Sequence, residues 1–233
     1  MEIWQHFQHF SLFDGISVLV LITLWLLISA AIENPNARSP SVSKLMEHYR
    51  KEWFIQFMTR ENRVFDATLL GSLRAGTTFF ASACMIAIGG LLTLLGNSDS
   101  LIGVARDLSL GTDPEIVWEI KLILVLFFVT NGFFKFVWAH RLFGYCSVVA
   151  AAVPNAPDAP NSKTRCEQAA QLNITASRSY TRGMRLVYFA LAALAWLAGP
   201  LALTAAALFT SGVLIRREFA SQSRKILMNG LGL

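Results

Sequence analysis

Charge is scarce in this chain. Asp, Glu, Lys and Arg make up 15% of its 233 residues, where a soluble domain carries about 25%. That deficit argues against an ordinary water-soluble globule. Together with 54% hydrophobic residues and a mean hydropathy of +0.49, it points to a single polytopic bundle in a membrane. Cysteine is scarce too. Cys84, Cys146 and Cys166 lie far apart with no CxxC spacing, so we read three free thiols and no disulfide framework. The first thirteen residues hold no Lys or Arg, and the apolar run behind them is too long for a signal peptide, so it reads as a retained anchor.

Chemistry-bearing motifs are missing as well. There is no Ser-His-Asp set, metal constellation, glycine-rich phosphate loop or nucleotide fingerprint, and we expect no enzyme and no cofactor apart from bound lipid. His6 and His9 stand one turn apart with no third ligand nearby, which suits interfacial packing better than a metal. His140 stands alone in its segment, and with only His48 for company on the same expected side it makes no haem pair. The net charge of +5 comes from residues that flank apolar segments. Topology and anionic lipid explain it, and nucleic acid is not an expected partner.

What is present is long apolar helix. The stretch from Asp66 to Leu95 is apolar or small apart from Asp66 and Arg74. At about 1.5 Å per residue it exceeds a hydrocarbon slab of about 30 Å. The pattern predicts an all-α membrane protein with four transmembrane helices, at about 13–32, 66–95, 116–141 and 186–215. Two cytoplasmic connections, 33–65 and 142–185, carry amphipathic helices. In the first, Leu45, Tyr49, Trp53 and Phe57 recur every four residues. In the second, Thr164 and Glu167 have the spacing of a capping box. Trp118 and Trp138 have the placement of interfacial belt residues. Pro-rich 153–161 reads as a turn, and Gly111 to Pro114 as a turn into the third span. Gly199-Pro200 is expected to kink the fourth span, because Pro200 cannot donate to the preceding turn.

Positive charge orients the chain. Arg38, Lys44, Arg50, Lys51, Arg60 and Arg63 follow the first span; Arg141, Lys163, Arg165, Arg178, Arg182 and Arg185 follow the third. The N-terminus is therefore expected outside, which is periplasmic in a bacterial inner membrane. Four spans then leave the tail outside, although it carries Arg216, Arg217, Arg224 and Lys225. Either the tail tolerates those charges, or Gly199-Pro200 splits the last run into a hairpin that returns inside. We take the four-span arrangement as the expectation.

Polar side chains inside spans are the functional candidates. Arg74 either snorkels to the cytoplasmic surface or lies on a polar stripe with Thr78 and Ser82. Lys121 is expected to snorkel outward. Lys135 leans toward the bilayer centre with Asn131 on the same face, and needs a partner or water. Asp66 is its first expected partner and Glu33 its second. Asp66, Arg74, Thr78, Ser82, Asn131 and Lys135 form the expected buried polar network or conduit. The row Gly71, Ala75, Thr78 and Ser82 would let helix backbones approach closely, within the chain or between subunits.

Four segments resemble a bacterial membrane family labelled domain of unknown function 599. They are RENRVFDATLLGSLRAGTTFFAS (60–82), FFKFVWAHRLFGY (133–145), NITASRSYTRGMRLVYFALAALAW (173–196) and RREF (216–219). The resemblance implies about four spans in a bacterial inner membrane and brings no catalytic residues. The functional expectation is a small oligomeric ion channel or transporter that prefers anions, its path lined by cationic candidates. The alternative is a structural or assembly subunit that binds lipid or a larger membrane complex. Expected partners are membrane lipids, further copies of the chain, or such a complex.

Overall fold

The computed structural model describes residues 10–34, 39–97, 103 and 114–231. The segment with His6 and His9 and the turn at Gly111 to Asp113 lie outside these. The described residues form seven α-helices and no strand: α1 (Leu12–Glu33), α2 (Val42–Thr59), α3 (Val64–Leu95), α4 (Glu115–Ala151), α5 (Ser162–Leu194), α6 (Pro200–Phe219) and α7 (Gln222–Gly230). A 3₁₀ turn, Ala195–Ala198, extends α5. Three helices, α1, α3 and α4, are long and apolar enough to cross a membrane.

Two expectations are corrected. The first concerns the last apolar run, which is not one kinked helix but the end of one helix and the start of another. Helix α5 passes from the polar stretch into the apolar one without a break, because a change of polarity is not a helix stop. The helix ends at Gly199, whose φ of 108° is open to glycine and strained for other residues. Pro200 then opens α6, where a missing N–H costs nothing. The Gly-Pro pair is thus a stop and a start. The second concerns the start of α5, which lies at Ser162 and not at a Thr164 cap. Asn161 turns the chain into it at φ 67°, a conformation that Asn tolerates.

Contacts divide the chain into two compact units. The first comprises 1–30, 83–132 and 184–215. Its start is fixed by a reciprocal cap: the Ser11 backbone N–H donates to the Asp14 carboxylate at 3.1 Å, and the Asp14 N–H donates to the Ser11 hydroxyl at 3.2 Å. The Trp196 indole N–H donates to the same carboxylate at 2.8 Å. Trp118 and Leu122 pack with Leu91, Leu94, Leu95 and Leu197. Trp118 is therefore a core residue and not a belt residue, whereas Trp138 of the second unit is 48% exposed. Lys121 is buried with its ammonium over the Trp118 ring at 4.8 Å, so it does not reach outward. Phe128 wedges edge-on to Trp25 and stacks toward Phe189.

The second unit comprises 31–82, 133–183 and 216–233. Among the described residues, Lys121 and Arg185 are the only basic side chains outside it. Its core joins four helices: Phe54 and Phe57 of α2, Leu70 of α3, Cys146 and Ala150 of α4, and Cys166 and Ala169 of α5. Ser41 caps α2, and its buried hydroxyl donates to the carbonyl end of α1 at Ile32, 2.8 Å away. Helix α7 packs on α2. The chain leaves this unit after Gly183 and re-enters it at Arg216, so its basic tail joins the other basic segments.

Gly183 fits because it lacks a side chain. A Cβ there would stand 2.8 Å from the buried Phe136 ring, which stacks on Phe80 and meets Tyr180 edge-on. Gly183→Ala is expected to destabilise the protein by about 1–3 kcal/mol through overpacking. A thermal unfolding midpoint unchanged in detergent would refute this.

Candidate functional site

Of the polar candidates, Asp66, Arg74 and Thr78 are bonded within the second unit and Asn131 to its own helix. Lys135 is half-buried, and its ammonium makes no hydrogen bond or ion pair among the described residues. Both expected partners are engaged elsewhere. Asp66 is fully buried and accepts from the Trp53 indole N–H at 2.6 Å and from the Arg60 guanidinium. Glu33 pairs with Arg182, whose Nε lies 2.9 Å from Oε1. Only the backbone of Lys135 is bound, its carbonyl accepting from Ser179 at 2.8 Å. Asn131 donates back to its own helix, at the Phe127 carbonyl 2.8 Å away. Ser82 is exposed.

Arg74 and Thr78 do come together, around His140, which the sequence left isolated. The Arg74 guanidinium lies 3.4 Å from His140 Nε2, and the hydroxyls of Thr78 and Thr77 lie 3.2 Å and 3.4 Å from Nδ1. Both hydroxyls donate to the Arg74 carbonyl, so their oxygens are left as acceptors. The arrangement assigns the ring proton to Nδ1, directed at the threonines, and leaves the Nε2 lone pair for Arg74. Gly144 gives the guanidinium room; a Cβ there would sit 3.9 Å from it. The i to i+7 spacing of Arg74, Thr77, Thr78 and Ala81 marks this helix face in the sequence. Its partner on another helix carries no local signal.

Apart from the Thr78 contact with His140, the small-residue row faces outward. Gly71, Ala75, Thr78 and Ser82 are all exposed. No side chain stands within 4 Å of a Cβ placed on Gly71. The aromatic stretch is mixed: Phe128 and Phe136 are buried, while Phe127 and Phe134 face outward.

A second polar cluster was missed by sequence reasoning. Arg50 donates to the side-chain carbonyl of Asn173, which is fully buried and whose amide reaches the Cys146 thiol at 3.8 Å. The thiol in turn meets the Ala169 carbonyl at 3.3 Å. Burial holds the Arg50 guanidinium below its usual range. Arg63 closes the turn after α4, donating to the carbonyls of Val153 and Pro154 at 2.7 Å and 2.9 Å.

At the surface, Glu47 takes a two-pronged bond from Arg178, at 2.8 Å and 2.9 Å, and one from Lys44. Burial pushes its carboxyl up, but the Arg178 and Lys44 bonds outweigh that and hold it below the usual range. A depressed folded-state pKa stabilises the fold above the unfolded value, and that stability is lost as pH falls through the folded value. Stability is therefore expected to decline below about pH 4.5. Glu47→Gln should flatten that decline in unfolding measured from pH 7 to pH 3; an identical slope would refute it.

These features define an all-helical protein with apolar helices compatible with a membrane, and with no group of three or more metal-ligating side chains among the described residues. The chain belongs to the family described as protein of unknown function, DUF599, whose model matches residues 16–223. No curated protein and no solved structure matches it.

Proposed function

We propose that this is a non-enzymatic integral protein of a bacterial inner membrane that acts as a structural or assembly subunit. Helices α1, α3 and α4 span the bilayer, and the end of α5 with α6 forms a hairpin that enters and leaves on one side. That topology leaves the N-terminus outside and gathers the basic segments, tail included, in the cytoplasm. The observation that carries the reading is the engagement of the candidate polar groups in bonds within the chain: Asp66 with Arg60 and Trp53, Arg74 with His140, and Asn131 with its own helix. The first two hold helices in register, the third bonds within one helix, and in this reading none is poised along a path for ions. The exposed small-residue face of α3 and the polar helices α2 and α5 are then surfaces for a larger membrane complex.

Purification in mild detergent tests this. Foreign membrane proteins at fixed stoichiometry are expected. A homo-oligomer that conducts ions in liposomes would overturn the proposal. One observation favours that second reading, an oligomeric anion conduit: the ammonium of Lys135 has no partner among the described residues. In that case Lys135→Ala would change anion flux while leaving assembly intact.

A further inference from the structure

In the second unit α3 and α4 run antiparallel: Arg63 meets Val153, Arg74 meets His140, and Phe80 meets Phe136. The Arg74 guanidinium lies against α4 at two positions. It is 3.4 Å from His140 Nε2, and a Cβ on Gly144 would stand 3.9 Å from it. Arg141 sits between those two positions and is exposed. Its guanidinium reaches toward the next turn and donates to the Tyr145 hydroxyl at 2.9 Å, one residue beyond Gly144. Both guanidiniums are therefore at one depth, between His140 and Tyr145. At about 100° per residue, Arg141 stands about 60° around α4 from Gly144. Val137 and Val148 fall inside that arc and are 36% and 70% exposed, so the arc opens away from the core. Beside Arg74 on α3, Gly71 and Ala75 are small and exposed and leave the arc open on that side. Among the described residues neither guanidinium meets a carboxylate, and Arg74 Nε is buried without a partner. Arg60, Arg178 and Arg182 of the same unit each meet one.

We propose that the arc between Arg74 and Arg141 holds the phosphate of one anionic phospholipid of the inner leaflet. Two guanidiniums without a carboxylate need an anion, and their N–H forks match phosphate oxygens. The depth selects a lipid as the source. The third span is expected to end at Arg141, and Trp138 and Tyr145 border that residue one turn before and one turn after it. They are 48% and 43% exposed, as aromatic side chains at a membrane interface are. A head group at this level meets both cations, and its acyl chains run back along the exposed faces of α3 and α4. With two cations and no acid, the arc disfavours a head that carries its own ammonium. The inference rests on the membrane reading above, but not on the assembly role.

The test uses the full chain in phosphatidylcholine vesicles doped with phosphatidylglycerol that carries a diazirine at the glycerol end of an acyl chain. After irradiation, adducts are expected on peptides covering 71–78 and 137–148. Arg141→Gln, at an exposed position, should cut that labelling about five-fold. Gly144→Leu should do the same by filling the arc while both cations stay. Lys51→Gln, an exposed cation on α2, should leave it unchanged. Equal labelling by a diazirine phosphatidylcholine, an equal loss in Lys51→Gln, or no loss in Arg141→Gln would overturn the proposal. So would displacement of the lipid by millimolar glycerol phosphate, which would make a water-soluble phosphate the ligand. An alkaline wash separates this inference from the membrane reading. A chain washed off the vesicles that still labels on these peptides overturns the spanning helices and keeps the phosphate site. A chain that resists the wash and does not label does the reverse.

Discussion

Replacing Asp66 by alanine is expected to destabilise the protein by about 2–3 kcal/mol. Its carboxylate is fully buried at the start of α3, where an acid also meets the positive end of the helix dipole. The substitution removes the acceptor of the Trp53 indole N–H. A buried donor left without a partner costs about 1–3 kcal/mol. Arg60 contributes less, because its side chain is 38% exposed and water replaces the lost partner. Asp66→Asn keeps an oxygen facing Trp53 and should cost about half as much. Denaturant titration in detergent, followed by tryptophan fluorescence, measures both variants. If the two were equally destabilised, the Arg60 ion pair would carry the site and not the indole bond.

Asn173→Ala should cost about 3 kcal/mol or more, because it strands a guanidinium. Arg50 is partly buried, and its side chain donates to the Asn173 carbonyl. Removing one partner of a buried charge is costlier than removing both. Adding Arg50→Met to Asn173→Ala is therefore expected to restore at least half of the loss, since a methionine stem fills the space without a charge. Unfolding of the two single variants and the double forms a closed cycle. Purely additive losses would mean that Arg50 and Asn173 act independently.

Both predictions concern residues that sequence reasoning treated unevenly. An acid opening an apolar helix marks Asp66 in the sequence, but its partners are Trp53 and Arg60 and not the expected Lys135. The ordering of pairs in space has no local signature. Arg60 and Trp53 are also closer in the chain, separated from Asp66 by six and thirteen residues. Asn173 drew no attention, because an amide in an amphipathic helix ordinarily faces water. Here the α2–α5 contact closes over it. His140 looked isolated for a similar reason: Arg74 reaches it across 66 positions of sequence.

The sequence by itself determined the helical class, the apolar lengths of α1, α3 and α4, and the side of the chain on which positive charge gathers. These follow from composition, periodicity and local charge, which are properties of a chain segment. Tertiary structure decided that Gly199-Pro200 ends one helix and begins another, that the basic tail rejoins the basic segments, and which cation each carboxylate meets. Those outcomes depend on which helix faces are left for one another once the apolar surfaces are buried. A burial pattern shared among four helices cannot be read from any one of them.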